Sequence, residues 1–229
     1  MLSLRSVAAG YGATPVLDDI DLTVGPGEVV CLMGRNGVGK STMLKVAMGL
    51  VRATAGQVAV GDRTTTRLRS HLVAREGVSY AAQERGLFAN LTVRDNLKLA
   101  AAGDPTTAIE EASALFGFIG ARLDQRAGTL SGGEQKMLLT ARALSGAPRL
   151  ALLDEISEGV QPSLIAGLRD AVIQANARHG TAVLIVEQHI ELALSVATRF
   201  YMLEKGRIVA AGATADPDAE QVIHRHLII

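Results

Sequence analysis

The sequence predicts an α/β domain, opened by paired antiparallel strands and interrupted by a helical insertion, on three observations. Short apolar runs that read as buried strands alternate with helical patterns from residue 29 to residue 203. The stretch from Leu91 to Leu144 is mostly helical and carries no strand pattern. One apolar run, Val29-Val30-Cys31-Leu32-Met33, runs straight into a glycine-rich loop and then into another helical pattern.

In chain order, residues 2–9 and 16–24 alternate apolar and polar residues around Gly10-Tyr11-Gly12, as paired strands do. Gly25-Pro26-Gly27 is a turn leading into the 29–33 strand. From Lys40 to Leu50, the residues Met43, Leu44, Val46, Ala47 and Leu50 recur at helical spacing. A short strand from Gln57 to Val60, a helical stretch near Leu68 to Arg75 and a buried strand from Val78 to Ala82 follow, the last ending at Gln83. The helical region is broken at Gly103-Asp104-Pro105, at Gly117 to Gly120 and at Gly128 to Gly133. Strands resume at Leu150 to Leu153, Thr181 to Val186 and Arg199 to Leu203. A helix from Pro162 to Arg178 lies between the first two, and proline suits its start because its missing N–H costs nothing there. Residues Asp218 to Ile229 form a short terminal helix in this reading. With no repeat, low-complexity tract or long linker, residues 1–229 are expected to form one domain, with the insertion at about 84–146.

Composition narrows the function classes. A chain of 229 residues, 48% hydrophobic and 20% charged, has the make-up of a soluble globule with a sizeable core. Zero formal net charge gives no global basic field, so nucleic acid is not an expected partner. The single cysteine, Cys31, excludes an intramolecular disulfide and reads as a small buried hydrophobe. No apolar run reaches the ~20 residues that span a bilayer, and Met1-Leu2-Ser3-Leu4-Arg5 lacks a signal pattern, so a cytoplasmic location is expected. Any service to a membrane would then pass through docking onto another protein.

The loop after the 29–33 strand, Gly34-Arg35-Asn36-Gly37-Val38-Gly39-Lys40-Ser41-Thr42, fits G-x-x-x-x-G-K-[ST], the phosphate-binding P-loop. Its glycines let successive N–H groups converge on phosphate oxygens, and the positive end of the helix opening near Gly39 adds to that field. Lys40 supplies a point charge for β/γ-phosphates, and the Ser41 hydroxyl is a ligand for Mg²⁺. Farther on, Leu150-Ala151-Leu152-Leu153-Asp154-Glu155 is an apolar strand ending in two carboxylates, at the strand end where open α/β sheets bind ligands. Asp154 suits organisation of Mg²⁺, and Glu155 suits polarisation of an attacking water as general base. Leu130-Ser131-Gly132-Gly133-Glu134-Gln135 precedes a helical run and reads, by itself, equally as a second anion-binding surface or as an N-cap and first turn.

Taken together, the P-loop, Leu-Ser-Gly-Gly-Glu-Gln and a strand ending Asp-Glu resemble the ATP-binding subunits of ABC transporters, over essentially the whole chain. The resemblance implies the ABC ATPase fold, a P-loop (RecA-like) core with an N-terminal antiparallel β subdomain and a helical insertion, with ATP and Mg²⁺ bound. It implies that Tyr11 stacks on adenine, with a plain turn tyrosine as the alternative, and that Gln83 contacts Mg²⁺ and the water. Glu158-Gly159-Val160-Gln161 matches the D-loop. Subunits of this family pair head to tail, so each ATP lies between one P-loop and the partner's Ser131, Gly132, Gly133 and Gln135 positions. The pair is either two copies or two related ATPases.

The resemblance also has departures. In Val186-Glu187-Gln188-His189, where the family usually places a histidine against the γ-phosphate, an ungapped alignment puts Gln188 at the switch, and a one-residue shift would use His189. Ile156 stands where proline usually follows Asp-Glu. The Val-Glu-Gln form, together with Glu158-Gly159-Val160-Gln161-Pro162-Ser163, looks like the ATPases of branched-chain amino-acid importers and of their relatives serving urea and short amides. That implies a peripheral place on the cytoplasmic face of a membrane. Permease subunits would meet the Arg85-Gly86-Leu87-Phe88 segment, unless Leu87 and Phe88 simply pack under the insertion, and a substrate-binding protein would act indirectly. A soluble ABC ATPase working on DNA or ribosomes is the alternative, disfavoured by the single compact cassette and the zero net charge.

Overall fold

The computed structural model describes residues 1–83, 86–101 and 103–227. Two sheets face each other. One is antiparallel, in the order β2 (Thr14–Val24), β1 (Leu2–Tyr11), β4 (Ala53–Val60), β5 (Arg63–Thr64). The other runs β10 (Arg207–Ala213), β9 (Arg199–Glu204), β3 (Val29–Met33), β8 (Ala182–Val186), β7 (Leu150–Asp154), β6 (Val78–Ala81). Within it β9, β3, β8, β7 and β6 pair in parallel, and β10 is antiparallel to β9.

The apolar runs are explained by burial on both faces. Alternate residues of a strand point to opposite sides. Val29, Cys31 and Met33 of β3 accordingly join the helix-side core, while Val30 and Leu32 join the core between the sheets. The same division holds for Ala151 and Leu153 against Leu150 and Leu152 in β7. A parallel sheet covered on both sides has no polar face to alternate with, hence the continuous hydrophobic runs. Cys31 is fully buried, and that burial pushes its thiol well above the ordinary range.

The helices are α1 (Lys40–Ala47), α2 (Ser70–Ala74), α3 (Val93–Ala100), α4 (Pro105–Leu115), α5 (Gly117–Ala121), α6 (Gly132–Leu144), α7 (Pro162–His179), α8 (Ile190–Val196) and α9 (Ala219–Leu227). Between β6 and β7 come α3 to α6, packed through Val93, Leu97, Ala112, Ile119 and Leu138 onto the helix-side core. α7 starts at a proline and stops at Gly180, whose φ of +64° takes the left-handed cap. None of the described helices is long and apolar enough to cross a membrane.

Several boundaries differ from the sequence reading. β1 continues through Tyr11, paired with Thr14, so the hairpin turns at residues 12 and 13. β4 starts at Ala53, because pairing of Ala53 and Ala55 with β1 overrides their poor strand propensity. The break foreseen at Gly117 to Gly120 is instead helix α5, with the chain turning at Phe116 (φ −138°, ψ 102°). Three elements escaped the reading: the two-residue edge strand β5, α8, only seven residues long, and β10, an edge strand with half-buried positions. The terminal helix is described to Leu227, and Ile228 and Ile229 lie outside the described residues.

Candidate active site

Strand β3 delivers the P-loop and β7 delivers the carboxylates, two strand ends flanking β8 in the same sheet. Gly39 is the N-cap of α1 with φ +112°, and a Cβ there would stand 2.8 Å from Leu17 Cδ2. Only glycine holds that turn without strain. No side chain caps α1, so the first-turn amides stay open to a ligand. The buried Lys40 donates from Nζ to the carbonyls of Gly34 (2.8 Å) and Arg35 (2.9 Å) and pairs with Glu155 Oε1 at 3.2 Å.

Ser41 Oγ donates to Asp154 Oδ1 at 3.0 Å, and the Tyr80 hydroxyl donates to Asp154 Oδ2 at 3.0 Å. Burial pushes the Asp154 carboxyl above its ordinary value, and these two hydrogen bonds pull partly the other way. Burial and the neighbouring Asp154 push the Tyr80 phenol up, so it stays a donor. Glu155 is buried at φ +48°, which a non-glycine residue keeps only where its surroundings enforce it. Its Oε1 accepts from Gln188 Nε2 at 2.8 Å and its Oε2 accepts from Gln83 Nε2 at 2.7 Å. Gln188 Nε2 also donates to Asn36 Oδ1 at 2.6 Å, and Gln83 Nε2 to Glu158 Oε2 at 2.7 Å.

A cleft of about 460 Å³ opens over this network, its walls including Tyr11, Gly37, Ser41, Thr42, Gln83 and Glu155. Tyr11 is 49% exposed, with its hydroxyl 3.5 Å from Thr42 Oγ1, so its ring is free to meet a flat ligand. Val38 holds the loop from below, its carbonyl accepting the Gly206 N–H at 3.2 Å. The oxygens of Ser41, Asp154 and Gln83 are the hard donors that Mg²⁺ takes, and the first two already touch.

The other predicted residues fall elsewhere. His189 uses Nδ1 to accept the Leu192 N–H at 3.2 Å and caps α8, so it is Gln188 that reaches Glu155. Ser131 caps α6: its Oγ accepts the Glu134 N–H at 3.3 Å, and Glu134 Oε2 accepts the Ser131 N–H at 3.0 Å. Gln135 Nε2 donates to Leu130 O at 2.9 Å. Ser131, Gly132, Gly133 and Gln135 do not line the P-loop cleft of their own chain. Leu87 packs on the helix-side core, whereas Phe88 is 57% exposed beside a groove of about 780 Å³ that also takes in Leu50 and Leu99. The reading that placed Arg85 with them falls outside the described residues.

Three contributors were missed. Tyr80 supports Asp154, and Lys136 Nζ donates to the carbonyls of Glu155 (3.0 Å) and Gln83 (3.3 Å). Glu187 is buried beside the loop after Glu155. Strand periodicity marks Tyr80 only as a strand residue, and nothing local marks Lys136 or Glu187.

A family model described as ABC transporter matches residues 17–158, spanning the P-loop, the Ser131 motif and the Asp154-Glu155 pair. The chain belongs to the ABC transporter family. It is an ATP-binding, ATP-hydrolysing subunit of that family. The chain is similar to the high-affinity branched-chain amino acid transport ATP-binding protein BraG of Pseudomonas aeruginosa, 38% identical over 213 residues and 91% of each chain. It is also similar to the lipopolysaccharide export system ATP-binding protein LptB of Escherichia coli K12, 32% identical over 222 residues, 94% of this chain and 91% of that one. Among solved structures, a dimeric ATP-binding cassette in a post-hydrolysis state with ADP and Pi shares the fold, with a TM-score of 0.84 and 23% identity over 94% of this chain and all of that one.

Proposed function

We propose that this ABC ATPase powers an importer for branched-chain amino acids or related small solutes such as urea and amides. Its higher identity to BraG than to LptB supports that assignment. So does the Val-Glu-Gln switch form, with Gln188 rather than His189 in reach of Glu155. Segment 84–146 acts as a helical subdomain of the single domain. The subunit works on the cytoplasmic face of a membrane, with Phe88 and its groove receiving a permease subunit and a substrate-binding protein acting from beyond it.

The observation that carries the hydrolytic reading is the Lys40–Glu155–Gln188–Gln83 network at the mouth of the P-loop. The α1 amides and Lys40 hold the phosphates, Tyr11 stacks on adenine, and Glu155 orients and deprotonates the attacking water. Gln188, a neutral donor, reaches the γ-phosphate oxygen. Mg²⁺, held by Ser41, Asp154 and Gln83, would neutralise charge developing on the β- and γ-oxygens. The exposed Ser131 and Gly132, with the half-buried Gly133, complete the site of a second ATPase subunit, another copy or a related chain, so ATP closes the pair and hydrolysis reopens it. Glu155→Gln is expected to keep ATP binding and, with its native mate, to trap a closed dimer by sedimentation. Wild-type turnover, or a complex in which Ser131 stays far from every γ-phosphate, overturns the reading.

A further inference from the structure

Four charged side chains are buried among the described residues: Lys40, Asp154, Glu155 and Glu187. Lys40 and Glu155 meet in the network above, Asp154 bonds Ser41 and Tyr80 beside it, and the Glu187 carboxylate bonds to none of these. It instead reaches the loop that follows Glu155. Oε2 accepts the Ser157 hydroxyl at 2.6 Å, and Oε1 accepts the Ser157 N–H at 3.0 Å. Oε2 also takes the N–H of Gln188 at 3.3 Å. The strand ends are tied as well, with the Glu155 N–H on Val186 O at 3.0 Å and the Glu187 N–H on Leu32 O at 3.3 Å. A buried carboxylate is costly unless its lone pairs are met, and here donors from two loops meet them.

We propose that Glu187 is a positioning residue for hydrolysis. By taking Ser157 and the Gln188 backbone onto one carboxylate, it makes loops 155–158 and 187–189 move as one body. Glu155 then keeps its enforced φ of +48° and its 2.8 Å contact with the Gln188 amide. This rests on the reading of Glu155 and Gln188 as the hydrolytic pair.

Steady-state ATPase assays with Mg-ATP on the intact protein test it, with melting temperature followed in parallel. Glu187→Gln and Ser157→Ala are each expected to lower kcat about tenfold, the scale of one lost hydrogen bond to a charged group, and to leave KM for ATP within about twofold. Ser157→Thr keeps the hydroxyl and is expected to turn over like wild type. The double variant is expected to be no slower than the slower single, because both changes remove one joint. Wild-type kcat in Ser157→Ala, or equal loss in Ser157→Thr and Ser157→Ala, overturns the proposal, since packing alone would explain the latter. If Glu187→Gln fails to fold, the Ser157 pair still decides. Gln188→Ala separates the two readings. A slow Gln188→Ala beside fast Glu187 and Ser157 variants overturns the joint alone, and a fast Gln188→Ala beside slow ones overturns the switch reading alone.

Discussion

Helices α1 and α6 both open at glycine-rich turns, yet they finish their N-termini in opposite ways. Gly39 leaves α1 uncapped, with its first-turn amides beside a buried Lys40. α6 is closed by its own residues: Ser131 and Glu134 form a reciprocal capping box, and Arg122 holds Glu134 Oε1 at 2.7 Å. Chiefly through the Ser131 N–H, the Glu134 carboxyl is held below its ordinary value. The contrast teaches that a glycine turn is not by itself an anion site. What matters is whether the helix end has already been given an anion. On the proposed function, a phosphate reaching Ser131 from a second subunit takes over a hydroxyl that Glu134 holds, whereas one reaching α1 meets open donors.

The largest expected effect tests the open end. Lys40→Ala should abolish ATP binding by calorimetry, and unchanged affinity would break the contrast at its root. Gly39→Ala, with its Cβ forced to 2.8 Å from Leu17, should weaken ATP binding at least about tenfold, the scale of ~1.4 kcal/mol of strain. Gly132→Ala meets nothing within 4 Å and should leave affinity within about twofold, the binding change of an unstrained site. Equal losses at the two glycines would erase the distinction.

Ser131→Ala sharpens the comparison from the other side. It should leave ATP affinity intact and stop turnover of the paired subunits, with a loss of about 1 kcal/mol in melting for the missing cap. A pH series probes the open end again. Since burial raises the folded-state carboxyl of Asp154, the folded chain holds a proton where the unfolded chain has released it. Stability from this group therefore falls as pH rises from the ordinary carboxylate value through the folded one. Asp154→Asn should lose that slope and melt higher than wild type at pH 7 while losing Mg²⁺-dependent hydrolysis; a lower melting point would contradict the burial cost. Glu134→Gln should cost only about 0.3–1 kcal/mol in melting, since it removes an anion from the start of α6 and leaves the cap acceptor in place.

Much of this was legible before any coordinates. The P-loop, the Ser131 motif and the Asp154-Glu155 pair are each contiguous, and their chemistry depends on consecutive backbone groups or on adjacent side chains at one strand end, so linear spacing carries it. Strands β3, β7 and β8 were legible too, because a strand buried on both faces leaves an unbroken apolar run. Short α8 and edge strand β10 were not, since seven residues hold too little periodicity and half-buried positions too little contrast.

The choice between Gln188 and His189 shows where the sequence stops. Both lie in one run, and either register fits the pattern. Only packing turns Gln188 toward Glu155 and spends His189 on the cap of α8. Tyr80, Lys136 and Glu187 were hidden for the same reason: their partners lie on other elements, like the Gln83–Glu155 bond across 72 residues and the Gln188–Asn36 bond across 152. By itself the sequence determined which chemistry each loop could perform, because backbone-borne donors and strand-end acids are local properties. The tertiary structure decided which side chains share that chemistry, because strand order, which no local pattern encodes, sets what stands beside what.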